Sequence, residues 1–177
     1  MENGTRKYAV LAVSRSEKFS AALRALLPAG RYDPLVTVTC GREAKERLSG
    51  SRFDIAIIND PLPDLSGEAL ATEVCRDSGA GVLLLVKADD FPAVTQRVSP
   101  HGVLTLPKPT TETMIAQSLM LLCGTRERLR RLEERAVSME EKMVEIRIVN
   151  RAKCLLIEQL KMTEQEAHRY IENQAMD

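Results

Sequence analysis

The sequence contains no long hydrophobic run. Its apolar stretches, such as residues 82–86, fall far short of the roughly 20 residues that a membrane-spanning helix needs. The N-terminal residues 1–14 lack the long apolar segment and the small-residue cleavage site of a secretory signal. We therefore expect a soluble, cytoplasmic protein with no membrane partner.

The sequence also lacks a cysteine cluster, and no two of its cysteines form a CxxC pair. Only two histidines, His101 and His168, could complete a zinc site with them. We therefore expect no disulfide, no metal site and free thiols that are mostly buried. The four cysteines are Cys40, Cys75, Cys123 and Cys154.

The chain has no excess of either charge. Of its 25 basic and 25 acidic residues, 14 of each lie in residues 1–123, which leaves 11 of each for residues 124–177. Because no overall field attracts nucleic acid, any nucleic-acid binding must depend on a local cluster and on shape. The sequence also shows no nucleophile–base set, metal cluster or glycine-rich phosphate loop, so we expect neither an enzyme nor a cofactor.

Short apolar runs alternate with helix-like segments through the first 110 residues of the 177-residue chain. The predicted strands are residues 8–13, 36–38, 54–58, 82–86 and 103–106. The predicted helices are residues 17–27, 42–48 and 66–75, with a short or irregular fourth helix within residues 89–100. This order predicts an α/β fold, in which helices cover both faces of a five-stranded parallel sheet and ligand chemistry lies at the C-terminal ends of the strands.

The C-terminal part has a different composition, because no proline and only one glycine, Gly124, occur from Glu112 onward. This composition predicts mostly helix. Apolar residues recur there at the a and d spacing of a coiled coil, which predicts a parallel homodimer through residues 123–150. The predicted seam is Leu129, Leu132, Ala136, Met139, Met143 and Ile146. Packing of this face on the sheet domain is the alternative.

A second helix is predicted after a turn at residues 161–163. Thr163 and Glu166 have the spacing of a capping box, in which each residue satisfies a backbone N–H at the start of a helix. We expect that helix to run to Ala175.

The order of elements over residues 6–122 resembles the receiver domain of bacterial response regulators, a flavodoxin-like fold. That family carries a phosphoacceptor aspartate four residues before a proline and eight before a glycine. Counted back from Pro63 and Gly67, the position here is Asn59. An amide is a far poorer nucleophile than a carboxylate, so the resemblance implies that residues 1–122 form a degenerate receiver that works without phosphorylation.

Other residues of the predicted pocket also differ from the residues that the family has for magnesium and phosphoryl binding. Ser14 and Arg15 stand where the family has an acidic pair for magnesium, and Lys87 stands where it has a threonine or serine. Only the lysine after the fifth strand, Lys108, matches the family. The altered pocket leaves three readings open: an inactive scaffold for dimerisation or partner binding, binding of a small anion, and phosphorylation of the neighbouring Asp60.

Residues 141–177 resemble the ANTAR module, an RNA-binding helical domain of bacterial transcription antiterminators, and overlap the end of the predicted long helix. The resemblance lies in residues 150–153 followed by an apolar run, the turn at 160–164, residues 166–167 and residues 174–176. It implies a dimer that binds paired stem-loops of a leader transcript and prevents a terminator from forming. The candidate RNA-binding residues are Asn150, Arg151, Lys153, His168, Arg169 and Tyr170.

Alternatives remain for these residues and for the function. Tyr170 could belong to the helix–helix core, for which Ala152, Leu155, Leu156, Ala167 and Ile171 are predicted. The family's module closes with a third short helix that does not occur before Asp177, so the apolar face near Ile171 and Ala175 is expected to be partly open and the module truncated.

Two other functions compete with this one. A DNA-binding regulator is not expected, since the last predicted helix carries only His168 and Arg169 as basic residues. A protein-interaction adaptor that uses the coiled coil is the alternative, with a sensor or regulatory protein as its partner.

Overall fold

A parallel sheet organises the N-terminal part of the chain, whose computed structural model describes residues 6–175. The sheet has five strands in the order β2-β1-β3-β4-β5, and every neighbouring pair is parallel. The strands are β1 (Tyr8–Val13), β2 (Tyr32–Val38), β3 (Ile55–Asn59), β4 (Gly81–Lys87) and β5 (Leu104–Lys108). The predicted α/β fold with a five-stranded parallel sheet is confirmed.

Helices connect the strands and continue the chain beyond the sheet. They are α1 (Glu17–Leu26), α2 (Gly41–Gly50), α3 (Gly67–Ser78), α4 (Phe91–Val98), α5 (Glu112–Leu160) and α6 (Glu164–Ala175). Successive strand residues face opposite sides of the sheet, so each strand supplies two cores. Leu11 and Val13 pack with α2, α3 and α4, whereas Val10 and Ala12 pack with α1 and the first turns of α5.

The structure corrects the predicted strands at their ends. β2 begins at Tyr32, four residues before the predicted start at residue 36, because Tyr32 already pairs with Tyr8 of β1. Pro34 is compatible with this strand because β2 lies at the edge of the sheet, where a missing N–H breaks no ladder. β3 and β5 extend to Asn59 and Lys108, so both site residues end a strand rather than follow one.

Helix α4 is short but regular. It spans eight residues, buries Val94 and Val98, and is followed by a 3₁₀ turn at Ser99–His101. The expectation of an abbreviated fourth helix agrees with this length.

Helix α5 is one continuous helix of 49 residues. It ends at Leu160, and Lys161 adopts a left-handed conformation with φ 57°, which stops the helix. The chain divides into two compact units, one ending at Arg128 and the other beginning at Leu129.

The predicted capping box opens α6 as expected. The N–H and hydroxyl of Thr163 each donate to a Glu166 carboxylate oxygen over 2.8 Å, and the Glu166 N–H donates back to the Thr163 hydroxyl over 3.4 Å.

The expectation of mostly buried cysteines is wrong. Cys123 is buried in the core beneath α5, but Cys40 and Cys75 are half-buried and Cys154 is exposed. Cys40 is the N-cap residue that precedes α2, and Cys154 occupies an exposed position of α5. All four are free thiols.

Candidate functional site

The C-terminal ends of neighbouring strands bring the predicted pocket residues together. Asn59 ends β3, and Lys87 pairs with Lys108 at the ends of β4 and β5. Ser14 follows β1, the other neighbour of β3. Four residues separated by up to 94 positions in the sequence therefore line one edge of the sheet, because parallel strands end on the same side.

The Asn59 amide is held at both ends. Its Nδ2 donates to the Ser14 hydroxyl over 3.0 Å, and its Oδ1 accepts from Lys108 Nζ over 3.0 Å. Ser14 is only 2% exposed, and its hydroxyl also accepts from the N–H of Ser16 over 3.1 Å. The centre of the pocket is therefore a neutral, hydrogen-bonded amide with no carboxylate at position 59.

Lys108 gives the pocket its charge. Its ammonium also donates to the backbone carbonyl of Asp60. Partial burial is the main cause that lowers the pKa of Lys108; the Asp60 carboxylate acts in the opposite direction, while the Lys87 and Arg15 cations lower the pKa further. Arg15 and Lys87 are both exposed, so three cations and the Asp60 carboxylate lie at this end of the sheet.

Asp60 has a role that the sequence did not predict. One of its carboxylate oxygens accepts from the N–H of Gly67 over 2.8 Å, which fastens the loop between β3 and α3. A Cβ at position 67 would collide with this carboxylate, which explains the glycine there. The sequence signal was an aspartate followed, seven positions later, by a glycine that opens a helix.

Two further contacts tie α4 to its neighbours, and neither was predicted. Arg97 on α4 forms a two-point ion pair with Glu68 on α3, at 2.7 and 2.8 Å. This guanidinium lowers the pKa of Glu68, chiefly through the hydrogen bond. The hydroxyls of Thr95 and the buried Thr105 lie 2.7 Å apart.

The predicted RNA-binding residues lie on α5 and α6. Asn150 and Arg151 are exposed, and Lys153 is half-buried. His168, Arg169 and Tyr170 are exposed on α6, with His168 Nε2 3.2 Å from the Glu172 carboxylate. Successive helical residues are about 100° apart around the axis, so the three neighbours on α6 point in different directions and do not form one face.

Apolar residues pack the end of α5 against α6. Ala167 is fully buried, and Ala152, Leu156 and Ile171 are half-buried, as predicted for the helix–helix core. Leu155 is 52% exposed, so its assignment to the core is wrong; it lies at the rim of the contact.

An open apolar groove of about 490 Å³ runs along these two helices. Tyr170 lines it while remaining 46% exposed, so its ring is neither a core side chain nor fully free. Ile171 lines it as well, as expected for an open apolar face. The side chain of Ala175 and the whole of Met176, which belongs to the quoted ANTAR resemblance, lie outside the described residues.

Among residues 6–175, no helix is both long and apolar enough to cross a membrane. The same residues hold no group of three or more histidine, cysteine, aspartate or glutamate side chains suited to a metal ion.

Both parts of the chain are similar to known proteins. Residues 138–177 match the ANTAR domain family, starting slightly before the predicted residue 141. No curated protein sequence matches the chain.

Several solved structures similar to the chain are receiver domains or response regulators. One is the receiver domain of an HD domain-containing protein from Pseudomonas fluorescens Pf-5, with 19% identity, a TM-score of 0.65, and coverage of 74% of this chain and 97% of that one. The chemotaxis response regulator CheY4 of Vibrio cholerae has 24% identity and a TM-score of 0.58, with coverage of 66% and 99%. The receiver domain of a histidine kinase from Syntrophus aciditrophicus has 27% identity and a TM-score of 0.57, with coverage of 66% and 91%. These likenesses show the receiver fold.

Proposed function

Because the chain is a response regulator in which a receiver domain precedes an ANTAR domain, we propose that it is a non-enzymatic regulator that binds RNA in transcription antitermination. It acts as a dimer on paired stem-loops of leader transcripts, so that a terminator hairpin does not form. Nascent transcripts are its targets, which assigns it to the cytoplasm. The ANTAR match over residues 138–177 is the observation that carries this proposal.

The side chains of the helical hairpin suit contacts with RNA loops. Arg151 and Arg169 are exposed and can reach phosphates or stack on bases, and the half-exposed Tyr170 ring offers a platform for an unstacked base. Asn150, Lys153 and His168 complete the proposed contact set. Acidic residues on the same two helices, such as Glu158 and Glu172, dilute the positive field, which favours contacts with a few loop bases over a long run of phosphates.

Dimerisation is supported by the exposed coiled-coil seam. The large seam side chains on α5 are between 46 and 67% exposed in the single chain, and Ala136 is exposed too. Pairing two chains in parallel would bury this stripe and would present two helical hairpins to two adjacent stem-loops. Asn150 continues the spacing at an a position, where a buried amide would set the register.

The receiver works without phosphorylation in this proposal. Asn59 provides no carboxylate nucleophile, and Arg15 and Lys87 oppose the divalent ion that phosphoryl transfer to a receiver requires. The domain then serves as a scaffold for the dimer or for a sensor or regulatory protein.

The test is RNA crosslinking in cells, followed by sequencing of the recovered RNA. The informative variant is Arg151→Ala with Lys153→Ala. The matched control is Arg42→Ala with Arg47→Ala, which removes the same charge from exposed positions of α2, outside both residues 138–177 and the predicted seam. We expect leader transcripts with two adjacent small hairpins beside a terminator, enriched by the wild type and the control but lost in the informative variant.

Absence of enrichment from a folded and abundant protein would overturn the RNA-binding proposal. That result would favour the second candidate, a protein-interaction adaptor, for which the exposed seam and the apolar groove are the supporting observations.

A further inference from the structure

A cavity of about 400 Å³ opens between α1 and the start of α5. Its floor is made by side chains that are almost completely buried, Leu23 of α1, Leu85 of β4 and Ile115 of α5. The volume lies within the range of about 300–1,000 Å³ that is typical of small-molecule sites. The cavity lies wholly within the unit that ends at Arg128 and is separate from the ANTAR domain.

The cavity has one cationic end. Lys108 lines it beside Asn59. An ammonium has three N–H donors, and among residues 6–175 two of those of Lys108 go to Asn59 Oδ1 and the Asp60 carbonyl, which leaves one for a ligand. A mostly apolar lining with one oriented charged donor is the usual composition of a site for a small amphipathic molecule.

The charges around the cavity restrict the ligand further. Lys87 and Arg15 are close enough to Lys108 to lower its pKa, so they add to the positive field at that end. Glu112, in the first turn of α5, also lines the cavity. Its carboxylate would repel a second negative charge, so one anionic group fits better than two.

We propose that the cavity between α1 and α5 binds a small monoanion with an apolar body, whose acidic group contacts Lys108 and whose body rests on Leu23, Leu85 and Ile115. This site is distinct from RNA binding by the ANTAR domain, and it does not depend on the proposed function. The ligand would contact the first turns of α5, the helix that continues to Leu160.

A pair of fluorescent compounds with the same kind of apolar body tests the proposal on the full chain. Anilinonaphthalene sulfonate carries one negative charge, whereas N-phenylnaphthylamine carries none. Both are titrated against the wild type and three variants, with circular dichroism to establish that each variant is folded.

Ala22→Phe fills the cavity from α1, and Ala21→Phe adds the same ring one position away, outside the lining; both alanines are exposed. We expect saturable binding of the sulfonate by the wild type and Ala21→Phe, and binding weakened by about tenfold or more in Ala22→Phe. Equal affinities in these two variants would overturn the proposal, because the compound would then bind elsewhere, for example in the groove along α5 and α6.

Lys108→Met removes the charge and keeps a flexible apolar stem. We expect this variant to bind the sulfonate about tenfold more weakly than the wild type does, with nearly unchanged affinity for the neutral compound. Equal weakening of both compounds would contradict recognition of the anion by Lys108. Should this variant fail to fold, the comparison of Ala22→Phe with Ala21→Phe still decides whether the cavity is the site.

Discussion

At the scale of single residues, the pocket differs from a phosphoryl-accepting site mainly in the chemistry of one amide and its neighbours. The Asn59 amide donates to the Ser14 hydroxyl and accepts from the Lys108 ammonium, so its hydrogen bonds connect the ends of β1, β3 and β5. A carboxylate at this position would add a negative charge beside Lys108 but would still lack an acidic partner after β1. A carboxylate at position 59 would therefore supply only part of a phosphoryl-accepting site.

The variant Asn59→Asp tests this account. We expect it to remain unlabelled by acetyl phosphate in the presence of Mg²⁺, because Arg15 and Lys87 still oppose the ion. Intact-mass spectrometry of the wild type and the variant measures the label. A stoichiometric phosphoryl adduct on position 59 would contradict the claim that the surrounding cations disable the pocket, and an adduct on wild-type Asp60 would contradict phosphorylation-independence itself.

Some contacts of single residues in the site could be predicted from the sequence, and others could not. Ser14, Asn59, Lys87 and Lys108 were predictable as neighbours because each stands at the end of a buried apolar strand, and parallel strands end together. The contact of Asp60 with the Gly67 N–H was not predictable, because it depends on the path of a loop rather than on a periodic pattern. The same holds for the ion pair of Arg97 with Glu68, which joins two successive helices across 29 positions of the sequence.

At the scale of elements, α6 depends on its first turn. The helix buries Ala167 but exposes most of its other side chains, so tertiary packing holds it weakly. The capping box satisfies backbone donors that would otherwise have no helical partner. Loss of the cap should therefore loosen α6 without disturbing the sheet.

The variant Thr163→Ala should destabilise α6 by about 1 kcal/mol, the usual cost of losing an N-cap side chain. Hydrogen–deuterium exchange of α6 peptides should then be about fivefold faster, with no change in β1 or β3. Gln165→Ala, an exposed change in the same turn, is the control. Equal exchange in Thr163→Ala and in the wild type would show that the cap contributes nothing.

The same cap makes α6 sensitive to acid. The Thr163 N–H, and then its hydroxyl, lower the pKa of Glu166 below its usual value. A lowered folded-state pKa means that the stabilisation is fully present above the unfolded-state pKa and is lost as the pH falls through the folded-state pKa. We expect exchange in α6, corrected for its intrinsic rate, to rise over that acidic window in the wild type. The variant Glu166→Gln should lack this rise, and an identical rise in both proteins would contradict the assignment.

Elements were predicted well where the pattern is local. The cap of α6, the short α4 and the long α5 follow from residue spacing, from prolines and from their absence. The start of β2 was missed because pairing with β1 recruits residues that carry no apolar alternation of their own. The burial of the cysteines was misjudged because residue type alone does not show whether a position on a helix is covered. Cys154, for example, is exposed to solvent.

At the scale of the whole molecule, the exposed stripe on α5 is the strongest sign of self-association. An isolated helix with a continuous apolar seam leaves that surface in water, and pairing would recover the hydrophobic free energy. Among the other exposed apolar residues of the same helix, Val137 and Val144 each lie one position after an a residue and are therefore off the seam. They provide a matched control for the interface.

We expect the wild type to be dimeric at micromolar concentration in sedimentation velocity. The variant Leu132→Lys with Met143→Lys should raise the dimer dissociation constant by about a hundredfold or more, because it places charges in the apolar seam. The control, Val137→Lys with Val144→Lys, adds the same charges off the seam and should remain dimeric. A monomeric wild type, or equal dissociation of both variants, would contradict a dimer through this seam.

The most direct test of the central claim is single-round transcription on a template that carries a leader recovered by crosslinking, followed by its terminator. No phosphoryl donor is added. We expect the wild type and the off-seam control to increase read-through. The variant Arg151→Ala with Lys153→Ala, and the seam variant, should not increase it. Unchanged read-through with folded wild-type protein, or an increase only after a phosphoryl donor is supplied, would contradict an antiterminator that works as a dimer without phosphorylation.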